Sequence, residues 1–427
     1  MLQGNVWHRF GACPKRSGRR LPHVTVRPDL QATHAQAPFR PSGAQLALIF
    51  NNFLMWGGFF MVIPLVTVHF SLGLGWTAAS VGAVLGLRQI AQQGLTVFGG
   101  AYADKVGPRP LIASGLAVRA LGFAAMGMAT TFPTLLAAAL LAGVGGGLFD
   151  APKNAAITAL TRPEDRSRVF SLMSVAGNMG MVTGPLIGAW LSGAEFRTVT
   201  LVSAGVYLAA LVVLLLLVPA VHGGAVVGAG FSGLRVAIRD RRFVLFTLAL
   251  SGYFVLSTQI NVAVTLRAVA LAGPQATAPL YGLQAGLAVL LQYPLLRLAE
   301  RYLSPGVVLP LGVTLVGAAL GLMSLAGSFP VLLACTALFS LGSMVVFPSQ
   351  QTLTARLAPP GLVGSYFGFG ALSLGVGGGI GSVLGGLLVD AGARLGLPAL
   401  RWLTFLALGL LTAFALTRAL SGVTRAE

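Results

Sequence analysis

The stretch Gly99-Gly100-Ala101-Tyr102-Ala103-Asp104-Lys105-Val106-Gly107-Pro108-Arg109-Pro110 sets one tight charged turn between two apolar runs. From Gly100 to Arg109 it reads Gly-x-x-x-Asp-Lys-x-Gly-x-Arg, a pattern that suits a short link between two antiparallel membrane helices. Gly100 lets a neighbouring helix come close, and Gly107 supplies a turn conformation that a side chain disfavours. Asp104 can pair with Lys105 and Arg109, or with the positive N-terminal end of another helix. An ordinary charged loop would read the same way, so the rest of the chain decides.

Composition decides the class. Charged residues make up 9% of the 427-residue chain and hydrophobic residues 56%, and the mean hydropathy is +0.84. So few charges exclude a soluble protein of this length and place most of the chain against lipid or other buried helices. Twelve apolar segments start near residues 44, 78, 111, 133, 169, 198, 243, 277, 306, 330, 365 and 400. They lack the period-two alternation of strands, so an all-α polytopic membrane protein with twelve transmembrane helices is expected rather than a barrel. The 57 glycines fit close helix contact in lipid.

The net charge of +18 does not point to nucleic acid, because its distribution follows the membrane. With loops assigned alternately, Arg162, Arg166, Arg168, Arg235, Arg239, Arg241, Arg242 and Arg301 fall on the side of the Asp104 turn. Only Arg197, Arg267, Arg394 and Arg401 fall on the other. Positive charge marks the cytoplasmic side, so both termini are expected there, in a plasma (bacterial inner) membrane. Trp76, Trp190 and Trp402 land at the opposite helix ends, as interfacial anchors would. Residues 1–42 read as a basic, disordered tail with no apolar h-region. Cys13 and Cys335 cannot build a disulfide framework. No cofactor, metal site or nucleic-acid partner is read from the chain.

Several spans carry polar groups that must find partners in an apolar medium. The first holds Asn51 and Asn52, and the second holds Arg88, Gln89, Gln92 and Gln93. These can line a polar cavity or form a structural hydrogen-bond knot between helices. Arg119 in the third span reads as closer to the cytoplasm and free to snorkel. Asp150 is the one carboxylate of the first half set within a span, and Lys153 follows one helical turn later. It serves either as the proton-responsive group, tuned by Arg88 or Lys153, or as an anchoring ion pair. The fifth span carries Gly180, Gly184 and Gly188 at four-residue spacing on one face, and Pro185 bends it.

The second half echoes the first. Ala103-Asp104-Lys105 recurs as Ala299-Glu300-Arg301, and Pro152 recurs as Pro348 at the same displacement. The chain therefore divides into a tail (1–42), a six-helix half (43–219), a linker (220–242), a second six-helix half (243–420) and a C-terminal tail (421–427). A ligand site is expected between the halves near mid-membrane. Tyr253, Gln259, Asn261, Tyr281, Gln284, Gln292, Tyr293, Gln350 and Gln351 are its candidates in the second half, with Asn51, Asn52, Arg88, Gln89 and Gln92 in the first.

The turn from Gly100 to Arg109, the Gly180/Gly184/Pro185 run and the Gly86-Leu87-Arg88-Gln89 and Phe149-Asp150 segments together resemble the major facilitator superfamily, in its drug/proton antiporter branch. The resemblance runs from about residue 43 to 420. It implies a twelve-helix carrier that alternates between two open states and ejects amphipathic compounds at the expense of the proton gradient. Gly100, Asp104, Lys105, Gly107 and Arg109 would form its gating loop, echoed by Glu300 and Arg301, and Asp104 would latch the second and eleventh helices. Four positions depart from the branch: Asn51, Gln284, Phe347 and Gln351 stand where it tends to carry acids. The expected function is multidrug efflux of lipophilic or cationic small molecules, with protons and lipid as the other partners and a monomer as the working unit. The alternative is an uptake symporter or facilitator for a small anionic or polar metabolite, since Arg88 can bind an anionic group. No catalytic constellation is present, so an enzyme is not expected.

Overall fold

A computed structural model describes residues 41–162, 165–191, 195–220, 230–359 and 362–421. The tail expected over 1–42 lies outside these residues but for its last two, and so do the side chains of residues 98–105 and of Glu300.

Ser42 caps α1 (Gly43–Thr67) with a reciprocal capping box to Gln45. The Gln45 amide then reaches across to the carbonyl of Leu160 and the hydroxyl of Thr161. Past Pro64 the helix widens into a π turn at Val68–Gly73. Next come α2 (Ala78–Val106) and α3 (Pro108–Met126), joined at Gly107 with φ +90°, a conformation that favours glycine. Pro108 opens α3, where its missing N–H costs nothing.

The first group closes with α4 (Phe132–Ala159), α5 (Arg166–Trp190) and α6 (Phe196–Leu217). A short amphipathic helix, α7 (Gly230–Arg239), occupies part of the expected linker. Asp240 then caps α8 (Arg241–Ser257) by accepting from the backbone N–H groups of Arg242 and Phe243.

The seventh apolar segment is broken. A tight turn at Thr258–Asn261 divides it into α8 and α9 (Ala263–Ala272). The polar side chains at that turn account for the break: Gln259 donates to the carbonyls of Val255 and Gly381, and Asn261 accepts from the Tyr281 hydroxyl. The remaining helices are α10 (Thr277–Tyr302), α11 (Pro305–Leu322), α12 (Phe329–Leu357), α13 (Val363–Arg394) and α14 (Leu400–Leu420).

The protein is all-α, with no strand among the described residues. Among the described residues, ten helical stretches are long and apolar enough to cross a membrane. The two further long helices, α2 and α10, carry the amides and basic groups that lower their hydropathy, yet at 29 and 26 residues they are long enough to span. The segment starts read from the sequence hold to within three residues.

Helices α1–α6 pack mainly on one another, through α1–α5, α2–α4, α3–α4 and α3–α6, and α8–α14 do the same through α11–α12, α11–α14 and α10–α12. Two pairs make most of the contact between the groups, α2 with α13 and α5 with α10, and α1 adds a smaller one, the Thr67 hydroxyl donating to the Asn261 carbonyl at 2.9 Å. The α2–α13 contact is made of glycine. A Cβ at Gly86 would stand 2.5 Å from the Gly379 carbonyl oxygen, and one at Gly375 2.8 Å from Gln93 Cβ. Gly82 and Gly386 meet the backbone of Ser382 and Ala78 just as closely. At the same end Asp390 of α13 caps α2, its carboxylate oxygens accepting from the N–H groups of Ala78 (3.0 Å) and Ala79 (2.8 Å). Toward the Asp104 end, Gly94 and Gly368 meet nothing within 4 Å.

Trp402 corrects the interfacial reading of the tryptophans. It is buried in the second group's core, with the Arg401 guanidinium over its ring, whereas Trp190 is 82% exposed.

Candidate functional site

Glycines on α4 build the polar centre of the first group. A Cβ at Gly143 would lie 2.6 Å from the Arg88 carbonyl, one at Gly145 2.6 Å from the Arg119 nitrogen, and one at Gly147 2.7 Å from the Gln92 carbonyl. With no side chains on that face of α4, α2 and α3 come to backbone contact and carry their basic residues inward.

There Arg88, 4% exposed, donates from Nη1 to Gln92 Oε1 and from Nη2 to Gln89 Oε1, both at 2.7 Å. Gln92 passes the connection on, its Nε2 donating to Asp150 Oδ2 at 3.0 Å. The other oxygen of Asp150 lies 3.6 Å from Lys153 Nζ. Lys153 in turn donates to Asn52 Oδ1 at 2.9 Å, and Asn52 Nδ2 to the Met173 carbonyl at 2.7 Å. One network thus ties α2, α4, α1 and α5. Its geometry fits an ionised Asp150, because both carboxylate oxygens face donors. Asp150 keeps 30% of its side chain exposed.

Arg119 does not snorkel. It is 3% exposed and shares the Phe59 ring with Arg88, the two guanidinium carbons lying 5.2 and 4.8 Å from the ring centroid. Phe123 and Tyr207 complete its aromatic surround at 5.9 and 5.5 Å. Its signal in the sequence was a lone charge inside an apolar run.

Between the two helix groups lies a cavity of about 210 Å³, lined by Phe60, Asn178 and Met181 on one side and Tyr281, Gln284, Gln292, Ser340, Ser343 and Met344 on the other. Phe60 and Tyr281 approach across it with ring centroids 6.2 Å apart. The lining mixes aromatic and aliphatic surface with a few amides and hydroxyls, the make-up of a permissive small-molecule site.

The candidates separate accordingly. Gln284 lines the cavity, and Asn52, Arg88, Gln89, Gln92, Asp150 and Lys153 share the network. Asn51 is fully buried and neither amide atom has a hydrogen-bond partner. Tyr253 is buried in the second group's core, and Gln259 is held by backbone carbonyls of α8 and α13. Gln351 is exposed on α12. Gly180, Gly184 and Gly188 pack on α1, a Cβ at Gly184 meeting the Gly57 carbonyl and one at Gly188 the Met61 carbonyl, each at 2.5 Å. Pro185 is buried within the same helix.

In the charged turn, Gly107 takes its positive φ and Arg109 Nη2 donates to the Leu215 carbonyl at 2.7 Å. Gly100 lies in α2, and the side chains of Asp104, Lys105 and Glu300 lie outside the described set; Arg301 is exposed over the Tyr302 ring. Sequence reasoning passed over Phe59, Asn178 and the capping role of Asp390.

Residues 48–368 match the family description Major Facilitator Superfamily. The chain belongs to the Major Facilitator Superfamily. It is a membrane transporter of that family and not an enzyme. Among curated relatives it is 40% identical to the multidrug resistance protein MdtH of Photorhabdus laumondii, over 87% of this chain and 93% of that one. Against the protein of the same name from Proteus mirabilis it is 39% identical, again over 87% and 93%. Among solved structures of the superfamily's fold, the peptide transporter POT in complex with alafosfalin superposes with a TM-score of 0.75 at 16% identity, over 91% of this chain and 96% of that one. The nucleoside transporter NupG gives 0.74 at 17% identity, over 88% and 99%.

Proposed function

We propose that the protein exports lipophilic or cationic small molecules by alternating access, in exchange for protons. The observation that carries this reading is the Asp150 network. A carboxylate that is partly accessible holds α2 through Gln92 and, through Lys153 and Asn52, reaches α1 and α5. Helices α2 and α5 carry most of the contact between the first group and the second. Protonating Asp150 removes the charge that Lys153 and Gln92 both face, so proton loading acts on the helices that must shift if the groups rock about the cavity. The permissive lining of that cavity and the likeness to multidrug resistance proteins support multidrug efflux over a sugar-like substrate.

The Asp104 end faces the cytoplasm in this reading, as the excess of Lys and Arg there supports. In the same reading the contacts at Asp390 belong to a state closed at the opposite end. Asp104 is the counterpart latch, and Asp104→Asn loses transport while the protein still inserts and folds. Normal transport by that variant ends the latch idea.

The deciding experiment uses proteoliposomes with an inside-acid pH gradient. Lumenal pH is followed while candidate compounds are added to wild type and to Asp150→Asn. Substrate-evoked proton efflux in wild type that is lost in the variant supports antiport through Asp150. Unchanged proton movement in the variant places the proton elsewhere, and labelled compound crossing with no proton movement identifies a facilitator.

A further inference from the structure

Three buried cations meet one carboxylate in the centre of the first helix group. Arg88, Arg119 and Lys153 are 4%, 3% and 8% exposed. Asp150 lies 3.6 Å from Lys153, which answers one positive charge. Neither arginine has an ion pair among the described residues: Arg88 is held by the neutral amides of Gln89 and Gln92, and Arg119 stands against the rings of Phe59, Phe123 and Tyr207. Nε and Nη1 of Arg119 and Nε of Arg88 find no hydrogen-bond partner. Aromatic faces attract a guanidinium, yet they supply no negative charge, and a guanidinium does not give up its proton at any ordinary pH.

We propose that this cluster is a binding site for a small monovalent anionic group, held between Arg119 and Arg88. In a low-dielectric interior two like charges against one ring repel, and a ligand of the opposite sign lowers that energy far more than it would in water. Water can complete the hydrogen bonds but cannot balance the charge. The wall beside Arg119 Nη1 is Gly146, where a Cβ would press on Nη1 and on the Gln92 carboxamide. With glycine there, Nη1 packs on bare α4 backbone and finds no acceptor. The chemistry admits an inorganic anion such as chloride, or a carboxylate borne by a transported compound. Only the second source rests on the transport reading.

The test needs neither gradient nor transport. Full-length protein in lipid nanodiscs at pH 7, in bis-tris propane sulfate with ionic strength held fixed by sodium sulfate, is titrated with sodium chloride and separately with sodium benzoate while the thermal unfolding midpoint is recorded. Ligand that binds only the folded state raises the midpoint. Wild type is expected to show a saturable rise with a millimolar half-point. Saturation with chloride identifies an inorganic ion, and saturation with benzoate alone identifies a carboxylate.

Arg119→Gln is expected to abolish the rise. Should that variant fail to fold, Gly146→Ala, which keeps every charge and crowds Arg119 Nη1 and the Gln92 carboxamide beside it, is expected to weaken binding at least tenfold. A flat response of wild type to both anions overturns the proposal, as does an undiminished response in Gly146→Ala and any folded Arg119→Gln. Either result leaves proton-driven export standing, because no transport step is read.

Discussion

Lys153 Nζ donates to Asn52 Oδ1 at 2.9 Å, joining α4 to α1 across 101 residues of sequence, while its other side faces Asp150. Asn52 completes the link by donating to the Met173 carbonyl of α5. Asn52→Ala removes an acceptor from a buried ammonium and a donor from a buried carbonyl. The expected loss is roughly 1–3 kcal/mol, because each partner keeps its desolvation cost without its bond. The check is a lowered thermal unfolding midpoint in nanodiscs, and an unchanged midpoint would show that the bond is absent in lipid.

Asp150→Asn keeps the size of the side chain and an acceptor for Gln92 but ends the ion pair with Lys153. Wild-type export under a fixed pH gradient is expected to change with the absolute pH as Asp150 loads and unloads. The variant is expected to be flat over the same range and at least tenfold slower. A variant that keeps the wild-type pH profile removes Asp150 from proton coupling.

Asp390→Asn weakens a charged cap at the N-terminus of α2, where the helix dipole favours a negative group. Losing about 1 kcal/mol there shifts the balance between states severalfold away from closure at that end. Spin labels at exposed sites flanking Ala78 and Leu387 report this as a larger long-distance population. An unchanged distance distribution means the cap does not hold the groups together.

Gly86→Leu and Gly94→Leu make a matched pair on one helix. The first drives a side chain into the Gly379 carbonyl of α13, and the second projects into open space. Gly86→Leu is expected to widen the same spin-label distance and abolish transport, whereas Gly94→Leu leaves the distance unchanged. Equal distances in the two variants would mean that α2 and α13 do not depend on glycine contact.

The all-α class and the order of the long apolar segments were legible in the sequence because each span needs about 20 apolar residues, and that requirement is local. The turn at Gly107 was legible for the same reason, since a glycine between an acid and a proline leaves few conformations. The pairing of Asp150 with Lys153 followed from one helical turn. The partners beyond that turn did not.

Tertiary packing alone put Asn52 on Lys153, Gln92 between Arg88 and Asp150, and Asp390 on the N-terminus of α2. Those bonds join positions 58 to 312 residues apart, apart from the local step from Arg88 to Gln92. Arg119 shows the limit most plainly. A sequence places it in an apolar run, but whether its long side chain reaches toward the membrane surface or inward depends on what faces it. Here Gly145 and Gly146 of α4 leave room beside it, and Phe59, Phe123 and Tyr207 surround the guanidinium. Apolar periodicity specifies which segments cross the membrane, and the absence of side chains on a facing helix decides which polar groups meet inside it.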